Sequence, residues 1–214
     1  LVNAGMLDEA ARQYTNALVA HPESARARFR LAESMLELDR NEQALSLIEN
    51  ALELQPGSRS GRLLLSRAQE WDAARKTLTD LQAEFLDDEN IKRQLGLHLA
   101  SREPEAALVY LSLDDPDLAL ARCGCLHALD RSREAQAAAE AATALAPSRL
   151  EAWLALGWSA LENGDAQRAS EAFDGALGCG AADPEALAGK AASLEALGKP
   201  ADELRRLLVE TELA

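Results

Sequence analysis

The chain has 214 residues, a formal net charge of −14, and 48% hydrophobic but only 4% aromatic residues, a length that suits one large domain or two small ones. The acidity disfavours a general nucleic-acid or anionic-membrane binder, since phosphate contacts need dense Lys and Arg, and no apolar run approaches the length of a membrane span. Three cysteines, Cys123, Cys125 and Cys179, are no disulfide framework; the low count favours a cytoplasmic location and leaves a periplasmic one open.

The apolar mass is mostly Ala and Leu, both strong helix formers, while the β-branched residues that favour sheet are scarce. Residues 1–24 read as one amphipathic helix, with Ala10, Tyr14 and Ala17 on a single face at offsets of four and seven. The same triplet recurs in a second helix of each following unit, paired with a periodic stretch upstream. In 25–58 the pair is Ala25–Leu38, a turn at Asp39-Arg40-Asn41, then Ala44, Ile48 and Ala51. In 59–88 the triplet is Ala74, Leu78 and Leu81, but the turn between Gln69 and Trp71 is almost lost. In 89–115, Ile91–Ala100 is followed by Ala106, Tyr110 and Leu113, and the next linker shrinks to Asp114-Asp115. Unit 116–149 pairs Leu118–Leu129 with Ala135, Ala139 and Ala142. Unit 150–183 pairs Leu150–Glu162 with Ala169, Phe173 and Ala176 across Asn163-Gly164-Asp165. Residues 184–214 hold Glu185–Leu197 and a terminal helix, Ala201–Leu213, with Leu204, Leu207 and Leu208 on one face. Prolines such as Pro22, Pro56 and Pro147 close units, because proline cannot continue a helix interior. The leading alanines lie 34, 30, 32, 29 and 34 residues apart. The chain is therefore expected to be a repeat of helical hairpins, with irregular packing in the middle. Because it opens at Leu1 and in mid-pattern, it reads as a fragment of a longer chain.

This text resembles the tetratricopeptide repeat family over nearly the whole chain. The best copy carries Trp153, Leu156, Gly157, Ala160, Ala169 and Phe173, close to the family's W-x2-L-G-x2-Y…A-x3-F spacing with Ala160 where the family has Tyr. The resemblance implies an all-α, right-handed superhelical solenoid of antiparallel helix pairs. It also implies a non-catalytic protein–protein interaction scaffold that takes a peptide or helix of a partner in a concave groove lined by first helices. Carried over residue by residue, groove positions fall on Arg26, Phe29, Arg30 and Glu33, then Leu64 and Arg67, then Asn90, Arg93, Gln94 and Leu97. In later repeats they fall on Leu120, Gly124, His127, Leu154, Trp158 and Leu161. The groove is expected to be basic in its N-terminal half and apolar in its C-terminal half. Its candidate contacts are Arg26, Phe29, Arg30, Arg67, Arg93, Gln94, Leu154 and Trp158. The arginines are either carboxylate readers, since the planar guanidinium binds bidentately, or ordinary solvated charge. Trp158 is either an exposed aromatic anchor or a packing residue. The partner is expected to be another protein, through an acidic or amphipathic segment; homo-oligomerisation is a further possibility. The Lys/Asn pattern by which some family members clamp a chaperone C-terminus is absent, with Phe29, Glu33 and Leu64 in its places.

Nothing in the sequence calls for a cofactor, a metal or catalysis. Cys123 and His127 share a helix face, but structural zinc takes four ligands and no second pair is near in sequence. Cys123 also occupies the small-residue position held by Gly157 and Ala32, which points to packing. Gly175, Gly178 and Gly180 follow a helix instead of opening one, so they read as helix termination. The alternative function is an accessory arm of a larger enzyme or of a secretion or polysaccharide-export assembly.

Overall fold

A computed structural model of the chain describes residues 2–180 and 183–212. Leu213, expected in the terminal helix, lies outside them. The described residues form thirteen helices and no strand: α1 (Val2–Ala20), α2 (Ala25–Glu37), α3 (Asn41–Leu54), α4 (Arg59–Ala68), α5 (Trp71–Glu84), α6 (Glu89–Ala100), α7 (Pro104–Ala107), α8 (Pro116–Ala128), α9 (Ser132–Leu145), α10 (Leu150–Glu162), α11 (Ala166–Cys179), α12 (Pro184–Ala196) and α13 (Asp202–Glu212). They belong to two compact units, Leu1–Leu95 and Gly96–Ala214, with the boundary inside α6.

Local chemistry starts and stops these helices. Before several of them a side chain satisfies backbone N–H groups that the first turn leaves unpaired. Ser24 accepts from Ala27 N, Ser58 from Gly61 N, Asp115 from Asp117 and Leu118 N, Asp165 from Arg168 N, and Asp183 from Ala186 N. Four first helices end in one motif. Asp39, Asp130, Gly164 and Gly198 have φ of 57°, 56°, 77° and 68°. The residue after each donates back to a carbonyl five positions earlier: Arg40 to Met35, Arg131 to Leu126, Asp165 to Ala160 and Lys199 to Leu194, at 2.8–2.9 Å. That closure satisfies the last carbonyls and reverses the chain.

In the first unit Leu31, Ala32, Met35, Ala44 and Ile48 form the core of α2 and α3, with Tyr14, Phe29 and Leu64 packed against it. In the second, Phe173 is fully buried and wedged against Gly157 of α10 and Gly189 of α12. The expected triplets Ala44/Ile48/Ala51, Ala74/Leu78/Leu81, Ala135/Ala139/Ala142 and Ala169/Phe173/Ala176 are all buried.

Two triplets differ from expectation. Ala106 and Leu113 are exposed, and Ala107 and Leu111 are buried in their place. The helix there is only the four residues of α7. Residues 108–114 follow it as turns and bends, before Asp115 caps α8 at Pro116. At the start of the chain Ala11 is buried and Ala10 only partly so. Between α4 and α5 only Gln69 and Glu70 remain, and α4 lacks the left-handed closure of the four regular turns.

Candidate functional site

The first unit carries a trough made of three adjoining cavities. The first, about 220 Å³, lies among Tyr14 and Ala17 of α1 and Arg26, Ala27 and Arg30 of α2. The second, about 440 Å³, has Phe29 and Leu64 as apolar wall and Arg26, Arg30, Ser58 and Ser60 as polar rim. The third, about 220 Å³, holds Leu64, Arg67, Asn90 and Gln94. Arg26 and Arg30 line both the first and the second cavity. Glu33, Ser60 and Leu64 line both the second and the third. The helical period explains the placement. Arg26 and Arg30 are i,i+4 neighbours on α2, one turn apart on one face. Phe29 reaches across to Gly61 on α4, where a Cβ would collide with its ring.

The cations of this face are not equally available. Arg30 binds Glu33 at 2.8 Å, and Arg67 binds Glu37 at 2.6 Å, with all four side chains 43–54% exposed. The Glu33 hydrogen bond and charge hold the Arg30 guanidinium still more firmly protonated. Arg59 pairs with Asp88 at 2.5 Å and stacks on Phe85, and Arg62 pairs with Glu84. Lys92 pairs with Glu89, and Arg93 is also engaged within the chain. Arg26 is exposed and makes no ion pair among the described residues. The N-terminal arginines therefore form a face of mixed sign, with Arg26 its one unpaired groove cation among the described residues. Exposed pairs of this kind are worth about 0–1 kcal/mol each, so an incoming carboxylate exchanges for Glu33 or Glu37 at little cost. The side-chain amides of Asn90 and Gln94 have no hydrogen-bond partner among the described residues, leaving a donor and an acceptor on each.

Of the apolar groove positions expected in the second unit, Leu120, Trp158 and Leu161 are half-buried and Leu154 is buried. Leu154 is buried to 8% exposure, in the core with Ala160, Phe173 and Ala186. Trp158 stands edge-on to Phe173 at 5.1 Å, and its indole N–H donates to Glu185 at 2.9 Å. Of its two readings, packing is the one the contacts support. Cys123 is 3% exposed, with its Sγ 3.7 Å from Ser159 Oγ, and Cys125 is 2% exposed. Burial raises both thiol pKa values; the Ser159 hydrogen bond and Arg122 respectively oppose that rise. His127 Nε2 lies 3.0 Å from Ser159 Oγ and 3.5 Å from Glu162. Ser159 donates its own proton to Ala155 O, so it accepts from the imidazole. Serine and carboxylate thus meet the same ring nitrogen, whereas a catalytic relay places them on opposite nitrogens. The contact ties α8 to α10. Among the described residues, no group of three His, Cys, Asp or Glu is placed to hold a metal ion, and no helix is long and apolar enough to cross a membrane.

The tetratricopeptide repeat family matches residues 1–67, and again residues 128–186 and 154–208. The chain is a tetratricopeptide-repeat protein. PilW, a widely conserved type IV pilus biogenesis factor, shares 20% identity over 86% of this chain and 91% of its own, with a TM-score of 0.72. YrrB, described as a TPR protein with an unusual peptide-binding site, shares 21% over 85% and 99%, with a TM-score of 0.63. TTC0263, a thermophilic TPR protein of Thermus thermophilus, shares 23% over 80% and 99%, with a TM-score of 0.58. At these identities the likeness concerns the fold. No curated protein sequence matches this one. Tetratricopeptide repeats are protein-interaction scaffolds, and the family is generally non-catalytic.

Proposed function

We propose that this tetratricopeptide-repeat protein holds a segment of a partner protein in the trough of its first unit, with Arg26, Phe29, Arg30, Arg67 and Gln94 as contacts. The observation that carries the reading is the continuity of the three cavities, which share Arg26 and Arg30 at one junction and Leu64 at the other. A trough of this kind suits a chain more than a compact small molecule. Its apolar walls bury side chains, its guanidinium groups meet carboxylates bidentately, and its carboxamides meet a peptide backbone. The segment is accordingly acidic and amphipathic. Leu154 lies in the core of the second unit, and the half-buried Trp158 packs against that core.

The test is a random peptide array probed with the full chain and with its Arg26→Glu/Arg30→Glu/Arg67→Glu form. Circular dichroism melting first confirms that the variant folds, as the exposure of these side chains leads one to expect. Peptides retained by the wild-type chain and lost by the variant are the expected result. Equal retention by both forms removes the trough from the account.

A further inference from the structure

We propose that the segment is read by an apolar–acid–apolar order, with its two apolar residues three apart and an acidic residue between them. This rests on the trough being the binding face. The order follows from what each cavity offers. The first cavity has Tyr14, Ala17 and Ala27 for an apolar side chain. The second has Phe29 and Leu64 for another. The ridge between them is built by Arg26 and Arg30, which border both. A ligand that seats an apolar side chain on each side must carry its intervening residues across two guanidinium groups. Arg26 has no carboxylate of its own among the described residues, so an acid at this point gains a partner without displacing one. A neutral or basic residue there leaves Arg26 unpaired against the bound chain, or repelled by it.

The spacing comes from helix packing. The two cavities flank α2, and packed helices lie about 8–10 Å apart. A polyproline-II segment rises about 3.1 Å per residue and returns to the same face every third residue, so its positions i and i+3 are about 9 Å apart. A fully extended strand returns at i+2 or i+4, about 7 or 13 Å, and fits less well. Beyond the second cavity the trough continues past Leu63 and Leu64 to the free carboxamides of Asn90 and Gln94, which suit backbone groups of any sequence. Sequence discrimination therefore sits at α1, α2 and α4, and Arg26 is its specificity-determining residue.

The experiment titrates the full chain with fluorescein-labelled peptides in a Ser/Gly background, by fluorescence anisotropy. One peptide carries Leu-Asp-Ser-Leu, one the permuted Asp-Leu-Leu-Ser, and one Leu-Ser-Ser-Leu; each is read against wild type and Arg26→Glu. The expected result is at least about tenfold tighter binding of the first peptide than of the other two, a preference that Arg26→Glu abolishes. Equal binding of the first two peptides, both weakened by Arg26→Glu, overturns the order while leaving the trough in place. A preference that survives Arg26→Glu overturns the role of the ridge. No binding of these peptides, while array peptides still depend on the trough arginines, overturns the order alone. Array binding that ignores those arginines overturns the trough and this proposal with it.

Discussion

Two glycines in the second unit should respond oppositely to the same added methyl group. Gly189 lies inside α12 and is buried, and a Cβ there meets Cε1 and Cζ of Phe173 at less than the 2.6 Å found for the corresponding atom at Gly157. The ring has nowhere to go. Phe173 is fully buried, its same edge already faces Gly157, and Trp158 stands against it at 5.1 Å. Overpacking costs about 1–3 kcal/mol in general, and contacts this short against a fully buried ring place it at about 2–3 kcal/mol; alanine returns about 1 kcal/mol of helix propensity, so Gly189→Ala is expected to destabilise by about 1–2 kcal/mol. Gly124 lies inside α8 with nothing within 4 Å of its would-be Cβ. Gly124→Ala should then collect the propensity alone and stabilise by about 1 kcal/mol. For a chain of this size a change of 1 kcal/mol moves the melting point by about 2–4 °C, so the two variants should melt about 4–12 °C apart, one on each side of wild type. Thermal unfolding by circular dichroism reads this directly. A Gly189→Ala protein as stable as wild type, or two shifts of the same sign, would refute the claim that Phe173 occupies the space of the missing methyl.

Other perturbations probe the turns, the caps and the buried thiols. Gly164→Ala should destabilise by about 1 kcal/mol because φ there is 77°, whereas Asp39→Gly, at φ 57°, should be neutral or slightly stabilising in urea titrations. Asp115→Ala removes acceptors for the N–H groups of Asp117 and Leu118 and should cost about 1 kcal/mol, read as a lower urea midpoint. A thiol reagent at pH 8 should label Cys179 promptly and reach Cys123 and Cys125 only after denaturation, since Cys179 is exposed and the other two are buried. Burial raises the folded-state pKa of Cys123 and Cys125 above the unfolded value, so their contribution to stability is intact below the ordinary thiol range and is lost as pH rises through the folded pKa. Wild type should lose stability on that alkaline limb faster than a Cys123→Ala/Cys125→Ala variant, and parallel curves would contradict this.

Much of this fold was legible because a helical hairpin repeats a face. Ala44, Ile48 and Ala51 stand four and seven residues apart, and all three are fully buried. The period fails where it is degenerate. Ala10-Ala11 and Ala106-Ala107 each offer two small residues about 100° apart on the helix, and the buried member is the second in both cases. Pattern alone has no means to choose between neighbouring alanines. The shrunken Asp114-Asp115 linker pointed to irregular packing in this stretch, while the triplet spacing suggested a full helix where α7 has four residues. The period puts Arg26, Arg30 and Arg67 on first helices, but it says nothing of their ion-pair partners. Glu37 meets Arg67 across 30 residues and Asp88 meets Arg59 across 29, distances at which local charge patterning has no hold. Leu154 and Trp158 sit on the same helix face as groove residues of earlier repeats. In α10 Leu154 is buried in the cluster with Phe173, and Trp158 packs edge-on to that ring.

The pairing of these charges has a consequence for how an acidic segment would bind. The whole chain carries −14, while the trough offers Arg26 unpaired and Arg30 and Arg67 half neutralised by Glu33 and Glu37. At about 10 mM salt the screening length is about 30 Å, so an approaching carboxylate senses the net negative chain. At about 150 mM it is about 8 Å, and the remote carboxylates fade while contacts inside the trough persist. Near 1 M, at about 3 Å, exposed contacts weaken as well. Affinity for an acidic peptide is therefore expected to pass through a maximum at intermediate salt, with the rise from low salt appearing mainly in the association rate. Arg26→Glu should flatten the fall at high salt and leave the low-salt rise. A steady loss of affinity from 10 mM upward in wild type would mean that the local cations outweigh the net charge even at long range.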